Sequence, residues 1–150
     1  MGQSLVQIYL HIVFSTKNRY PFIDGEVEKE LFAYIGGIIK NHKGIPFLIN
    51  GMPDHIHILC SFPRSICLSD FLKFIKGNSS FWIKSKGSQY QNFDWQDGYA
   101  AFSVSSSRKP NVENYIRNQK KHHKAIGFQE ELLKFLKEYN IEYDERYLWK

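Results

Sequence analysis

Four alternating apolar segments and two amphipathic helices, strung in the order β-α-β-β-α-β, predict an α+β fold. That order is the pattern of a ferredoxin-like or RRM-like antiparallel sheet with helices on one face. Two further observations agree. The second and third strand segments are joined only by the turn Gly51-Met52-Pro53-Asp54, as in a hairpin. The 150 residues are 43% hydrophobic and 16% aromatic, enough for the core of one domain spanning 1–150 and inconsistent with disorder.

Taken in order, residues 5–14 (LVQIYLHIVF) read as a strand with Val6, Ile8, Leu10 and Ile12 on one face and Tyr9, His11 and Val13 on the other. The turn Ser15-Thr16-Lys17-Asn18-Arg19 carries two positive charges, which suit a solvated loop and a phosphate contact equally. Asp24 can cap a helix over 25–42 whose stripe is Val27, Leu31, Tyr34, Ile35, Ile38 and Ile39. Gly36-Gly37 inside it costs about 1 kcal/mol per glycine relative to alanine, which points to close packing on a sheet. A short strand over 45–50 follows, then the turn, then a strand from His55 that Pro63 closes.

Ser69 opens the next helix, over 70–85, with Phe71, Leu72, Ile75, Phe81 and Trp82 on its apolar side. Lys73, Lys76, Lys84 and Lys86 lie mostly off that side, as a solvated face does. A polar loop leads to the last strand, 99–105 (YAAFSVS). Pro110 then stands at the first position of a helix running through Tyr115 and Gln119 to Lys124. A second helix over 129–139 is amphipathic through Leu132, Leu133, Phe135 and Leu136. The tail carries Tyr143, Tyr147, Leu148 and Trp149, which are expected to dock on the domain.

The formal charge is +5 and the isoelectric point about 9.1, compatible with a polyanionic partner. Cys60 and Cys67 are too few for a disulfide framework and sit among apolar residues. They predict buried thiols in a reduced, cytoplasmic chain. The N-terminus has no secretory pattern, and no apolar run is long enough to span a bilayer.

The chemistry gathers on His55-Ile56-His57. Side chains alternate along a strand, so both imidazoles project from one face and can hold a divalent ion, while Ile56, Ile58 and Cys60 point the other way. Tyr115 and Gln119, four apart, share a face of a helix anchored only by Val112 and Ile116. Each motif alone is also compatible with plain structure: exposed histidines on an open sheet, a packed tyrosine beside a solvated glutamine.

Together, Pro53-Asp54-His55-Ile56-His57-Ile58-Leu59 and Tyr115-Ile116-Arg117-Asn118-Gln119 resemble the single-tyrosine HUH transposases, the insertion-sequence and REP-associated enzymes that act on single-stranded DNA. The Lys17-Asn18-Arg19 turn and the Trp95-Gln96-Asp97-Gly98-Tyr99 approach to the last strand extend the resemblance over most of the chain. It implies a C-terminal catalytic tyrosine helix, with Tyr115 as nucleophile and His55, His57 and Gln119 as ligands of Mg²⁺ or Mn²⁺. It further implies a 5′-phosphotyrosine intermediate, recognition of DNA hairpins and a homodimer. Lys17, Arg19, Arg117, Lys120, Lys121 and Lys124 are the candidate contacts to the DNA backbone. Two other readings stay open: a replication-initiator or relaxase relative, and a domesticated protein that holds hairpins without cutting. A true RRM would present aromatics where the central strand has His55 and His57.

Overall fold

The computed structural model describes residues 2–122 and 126–150. Four strands, β1 (Tyr9–Ser15), β2 (Ile45–Met52), β3 (His55–Ser61) and β4 (Ala100–Val104), form one sheet in the order β2-β3-β1-β4. All three pairings are antiparallel. Helices α1 (Glu28–Asn41) and α2 (Leu68–Lys84) connect β1 to β2 and β3 to β4. This is the expected ferredoxin-like order, with β3 and β1 in the centre.

One face of the sheet is apolar along its two central strands. Leu10, Ile12 and Phe14 of β1 and Ile56, Ile58 and Cys60 of β3 meet Leu31, Ile35 and Ile39 of α1 and Phe71, Leu72 and Ile75 of α2. The other face is covered too, by helices that follow β4: α3 (Lys109–Arg117), α4 (Gln119–His122), α5 (Phe128–Glu138) and α6 (Glu145–Leu148). Val13 and Phe102 pack there against Phe128, Leu132 and Leu136, and Leu59 and Val104 against Ile116. Val112 and Ile116 are the apolar anchors of α3, as read from the sequence.

Several boundaries differ from expectation. β1 begins at Tyr9 because both neighbours run out there, Ser61 and Val104 each pairing with Tyr9. Leu5, Val6 and Ile8 are exposed. Cys67, not Ser69, precedes the first residue of α2. Phe81 lies outside the core, 81% exposed, since it stands about 200° around the helix from buried Ser79 and Ile83. Gly36 and Gly37 are not demanded by packing: a Cβ on Gly37 would meet nothing, and one on Gly36 only Pro46 at 3.8 Å. Of the two thiols, Cys60 is buried but Cys67 is exposed.

The loop before β4 is tied down through its backbone. Gln96 Oε1 accepts from the Ser15 amide at 2.8 Å, and the Gln96 amide donates to the Ser15 carbonyl at 2.9 Å. Lys76 is not a solvated cation: its Nζ donates to the carbonyls of Gln96, Asp97 and Gly98 at 2.6–3.0 Å. Leu148 and Trp149 dock against the second core as expected, whereas Tyr143 and Tyr147 are exposed. No helix among the described residues is long and apolar enough to cross a membrane.

Candidate active site

The β2-β3 hairpin sets the site. A Cβ at Gly51 would run into the His55 carbonyl and the Ile56 Cα, so the tight crossing of the two strands requires glycine there. The turn delivers His55 and His57 to the face opposite α1 and α2. Both are fully buried rather than lying on an open sheet.

Each imidazole is held by its Nδ1. His55 Nδ1 lies 2.7 Å from Asp54 Oδ1, and His57 Nδ1 lies 2.8 Å from His11 Nε2. Both Nε2 atoms therefore turn to a common point, which is Glu131 Oε1, 3.4 Å from His55 and 2.8 Å from His57. Burial works against a charge on His55, but hydrogen bonds to Asp54 and Glu131 outweigh it and raise its pKa above the usual value. Burial and then the neighbouring His57 hold His11 well below the ordinary range.

Tyr115 and Gln119 reach the same carboxylate from α3 and α4. The Tyr115 hydroxyl donates to Glu131 Oε2, and Gln119 Nε2 donates to that oxygen at 3.1 Å. The two do not share one unbroken helix. The turn at Asn118 divides α3 from α4, and Asn50 of β2 donates to the Ile116 and Arg117 carbonyls at 2.9 and 3.3 Å, drawing off acceptors at the helix end. Gln119 is buried, not solvated, and its Oε1 has no hydrogen-bond partner among the described residues. Burial, and then the carboxylate beside it, push the Tyr115 phenol far above its ordinary pKa of about 10.

Glu131 went unrecognised in the sequence, yet His55, His57, Tyr115 and Gln119 all touch it. Its signal was present: it follows Phe128 by three residues and precedes Phe135 by four, so a charge sits on the apolar stripe of α5. A buried carboxylate against two imidazole nitrogens, with an orphaned amide oxygen nearby, is a donor set that suits a divalent cation. The ligand atoms of His55, His57 and Glu131 lie within 4.8 Å of one another.

A cavity of about 670 Å³ opens onto this cluster from between α3 and α5. His11, Tyr115, Glu131 and Phe135 line its floor, and Arg108, Asn111 and Lys134 stand among its other walls. The remaining basic candidates fare differently. Lys17 faces Asp94 at 3.8 Å, and Arg19 lies over the Trp149 ring. Lys120 is exposed but engaged, with its Nζ on Glu28 and on the Gly51 carbonyl. Arg117 and Lys121 are exposed, and Lys124 falls outside the described residues.

The geometry can be set beside known proteins. The ISDra2 transposase TnpA of Deinococcus radiodurans is 25% identical over 118 residues, 75% of this chain and 84% of that one. The transposase for insertion sequence element IS200 of Salmonella typhimurium is 28% identical over 118 residues, 73% of this chain and 74% of that one. Two solved structures share the fold with a TM-score of 0.62 each. One is a protein from Deinococcus radiodurans R1 described as a transposase, 24% identical, covering 79% of this chain and 96% of its own. The other is a REP-associated tyrosine transposase bound to a REP hairpin, 13% identical, covering 84% of this chain and 74% of its own. The family model "Transposase IS200 like" matches residues 4–119, which take in β1, the histidine strand, Tyr115 and Gln119. The chain belongs to the family of IS200-like transposases.

Proposed function

We propose that this transposase cleaves and rejoins single-stranded DNA through a covalent 5′-phosphotyrosine on Tyr115, with Mg²⁺ or Mn²⁺ held by the histidine pair. The observation that carries the reading is the convergence of His55 Nε2, His57 Nε2, the Tyr115 hydroxyl and the Gln119 amide on one buried carboxylate, Glu131.

His55 and His57 would hold the ion through Nε2, with Glu131 and the free Gln119 Oε1 completing the protein donors. When bound, the cation polarises the scissile phosphate and offsets charge developing in the transition state. The chain does the rest. Edge-to-face contacts with His57 and Phe135 fix the Tyr115 ring. Glu131 Oε2 already accepts the phenol's hydrogen bond and is placed to take its proton as the oxygen attacks phosphorus. Attack breaks the bond to the leaving 3′-oxygen, which takes up the proton that Glu131 received and departs as a hydroxyl, and the energy of the phosphodiester stays in the phosphotyrosine. A second 3′-hydroxyl can then reseal the strand without ATP.

The solved relative bound to a REP hairpin supports a hairpin substrate. Arg117 and Lys121 are exposed near Tyr115 in sequence and suit the DNA backbone, as do Lys17 and Arg19. A homodimer belongs to the same reading, and light scattering at micromolar concentration with and without DNA tests it. In one chain Tyr115 already stands beside its own His57, with ring centroids 6.0 Å apart, which favours chemistry in cis.

The test is direct. Incubated with single-stranded hairpin DNA and Mn²⁺, the protein should give a denaturation-resistant adduct that chelator prevents. Hairpin binding with no adduct and no cleavage would leave a protein that holds DNA without cutting it.

A further inference from the structure

His11 has no part in the proposed chemistry, yet it is buried directly behind it. In the β1-β3 register Val13 faces His57, so His11 lies diagonally across on the same face of the sheet. Its ring stacks on that of His57, with centroids 5.0 Å apart and planes inclined by 28°. The rings of Phe102 and Phe135 flank it at 6.1 and 5.2 Å. These contacts hold the ring with its Nε2 2.8 Å from His57 Nδ1.

Two ring nitrogens at that distance share one hydrogen, and which ring supplies it decides what the far side of His57 can do. If His11 donates, His57 carries its own hydrogen on Nε2, pointing at Glu131, and offers no lone pair there. If His11 accepts, His57 carries its hydrogen on Nδ1, and its Nε2, beside Glu131, keeps a lone pair that can be offered to a cation. An imidazole can play either part without moving, whereas a carboxylate such as Asp54, which serves His55, can only accept. The two histidines of the pair thus have different supports: a fixed acceptor behind His55 and a reversible one behind His57.

We infer that His11 is a positioning residue that sets the ring plane and tautomer of His57, and thereby its capacity to bind a divalent cation. The inference rests on the reading of His55 and His57 as cation ligands.

The experiment compares two replacements of nearly equal shape. His11→Gln can place an amide near the former Nε2, to accept or donate. His11→Met fills the same space without a comparable partner. Mn²⁺ affinity is read from the free-ion signal in electron paramagnetic resonance, with no DNA present, and folding from the thermal melt. His11→Met should bind Mn²⁺ about 10–100-fold more weakly than wild type, the usual cost of losing such a support, and His11→Gln should recover most of it. If His11→Met does not fold, His11→Phe takes its place. Equal affinities of the polar and apolar variants would overturn the inference and leave His11 as packing. His57→Ala separates the two levels. If it abolishes Mn²⁺ binding while the His11 variants bind like wild type, the metal site stands and this inference fails. If the wild type itself binds no Mn²⁺, both fall.

Discussion

The two faces of the sheet are made by the same two central strands and behave as different materials. Facing α1 and α2, β1 and β3 present Leu10, Ile12, Phe14, Ile56, Ile58 and Cys60, and nothing there needs a hydrogen bond. One residue along each strand, the other face presents His11, His55 and His57, equally buried but all engaged through nitrogen. The first face gives the domain its stability through apolar area removed from water. The second buries polar groups that need partners, some from the sheet and its turn, His11 and Asp54, and the rest from helices that follow β4: Tyr115, Gln119 and Glu131. Period-two alternation lets a small domain keep an apolar foundation one strand thickness from a buried polar cluster.

The comparison is sharpest where a substitution touches only one face. Ile58→Ala opens a cavity under α1 and α2 and should lower folding stability by about 2–5 kcal/mol, measured by denaturant titration. A change below 1 kcal/mol would mean that the apolar face is not the foundation described. On the opposite face, Glu131→Gln keeps the side chain's shape but removes the charge that the histidines and Tyr115 share. Mn²⁺ affinity should fall at least about tenfold, read by the same resonance titration. Unchanged affinity would remove Glu131 from the ligand set.

The thiols test the same contrast more gently. Cys67 should react with a thiol reagent within seconds, and Cys60 only on unfolding. Burial pushes the Cys60 thiol up to about 12 from an ordinary value of 9.0, so above pH 9 the unfolded chain loses that proton while the folded chain keeps it. The stability that this protonated thiol represents is whole below pH 9. It should be lost as the pH rises toward 12, at no more than about 1.4 kcal/mol per pH unit. Melts of wild type and Cys60→Ala across that range isolate the effect. The smallest expectation is for Lys121→Ala, exposed on α4. Stability should move by less than about 0.5 kcal/mol, while the salt dependence of DNA binding loses about one unit of slope.

Most of the fold was legible because it rests on local periodicity. Alternation in 9–15 and 55–61 sorts the side chains onto two faces, and the i, i+3, i+4 stripes of α1 and α5 name their own buried sides. The misses have long-range causes. Nothing near Leu5 says that its neighbours in the sheet will have ended. Nothing near Phe81 outweighs its hydrophobicity, although the spacing to Ile83 turns it outward. The break at Asn118 depends on Asn50, 68 positions earlier, and the burial of Lys76 on carbonyls of the loop before β4.

In the site, the histidines, the tyrosine and the glutamine could be named from two short motifs and a resemblance. Glu131 could not, since it lies beyond the 4–119 stretch that the family shares. Only the docking of α5 gives its carboxylate a place. A charged residue on an apolar stripe was its one local sign, and that sign alone does not say what the charge will meet.

Whether the second face presents one nucleophile is read from the covalent DNA adduct itself. Protein treated with hairpin DNA and Mn²⁺ is digested, and the nucleotide-bearing peptide identified by mass spectrometry, beside Tyr115→Phe. That substitution removes one oxygen and keeps the ring, so stability should move by no more than about 1 kcal/mol. The wild type should carry an adduct on Tyr115, and the variant should show neither adduct nor cleavage. An adduct on Tyr99 or Tyr139, or undiminished cleavage by Tyr115→Phe, would contradict the assignment of Tyr115.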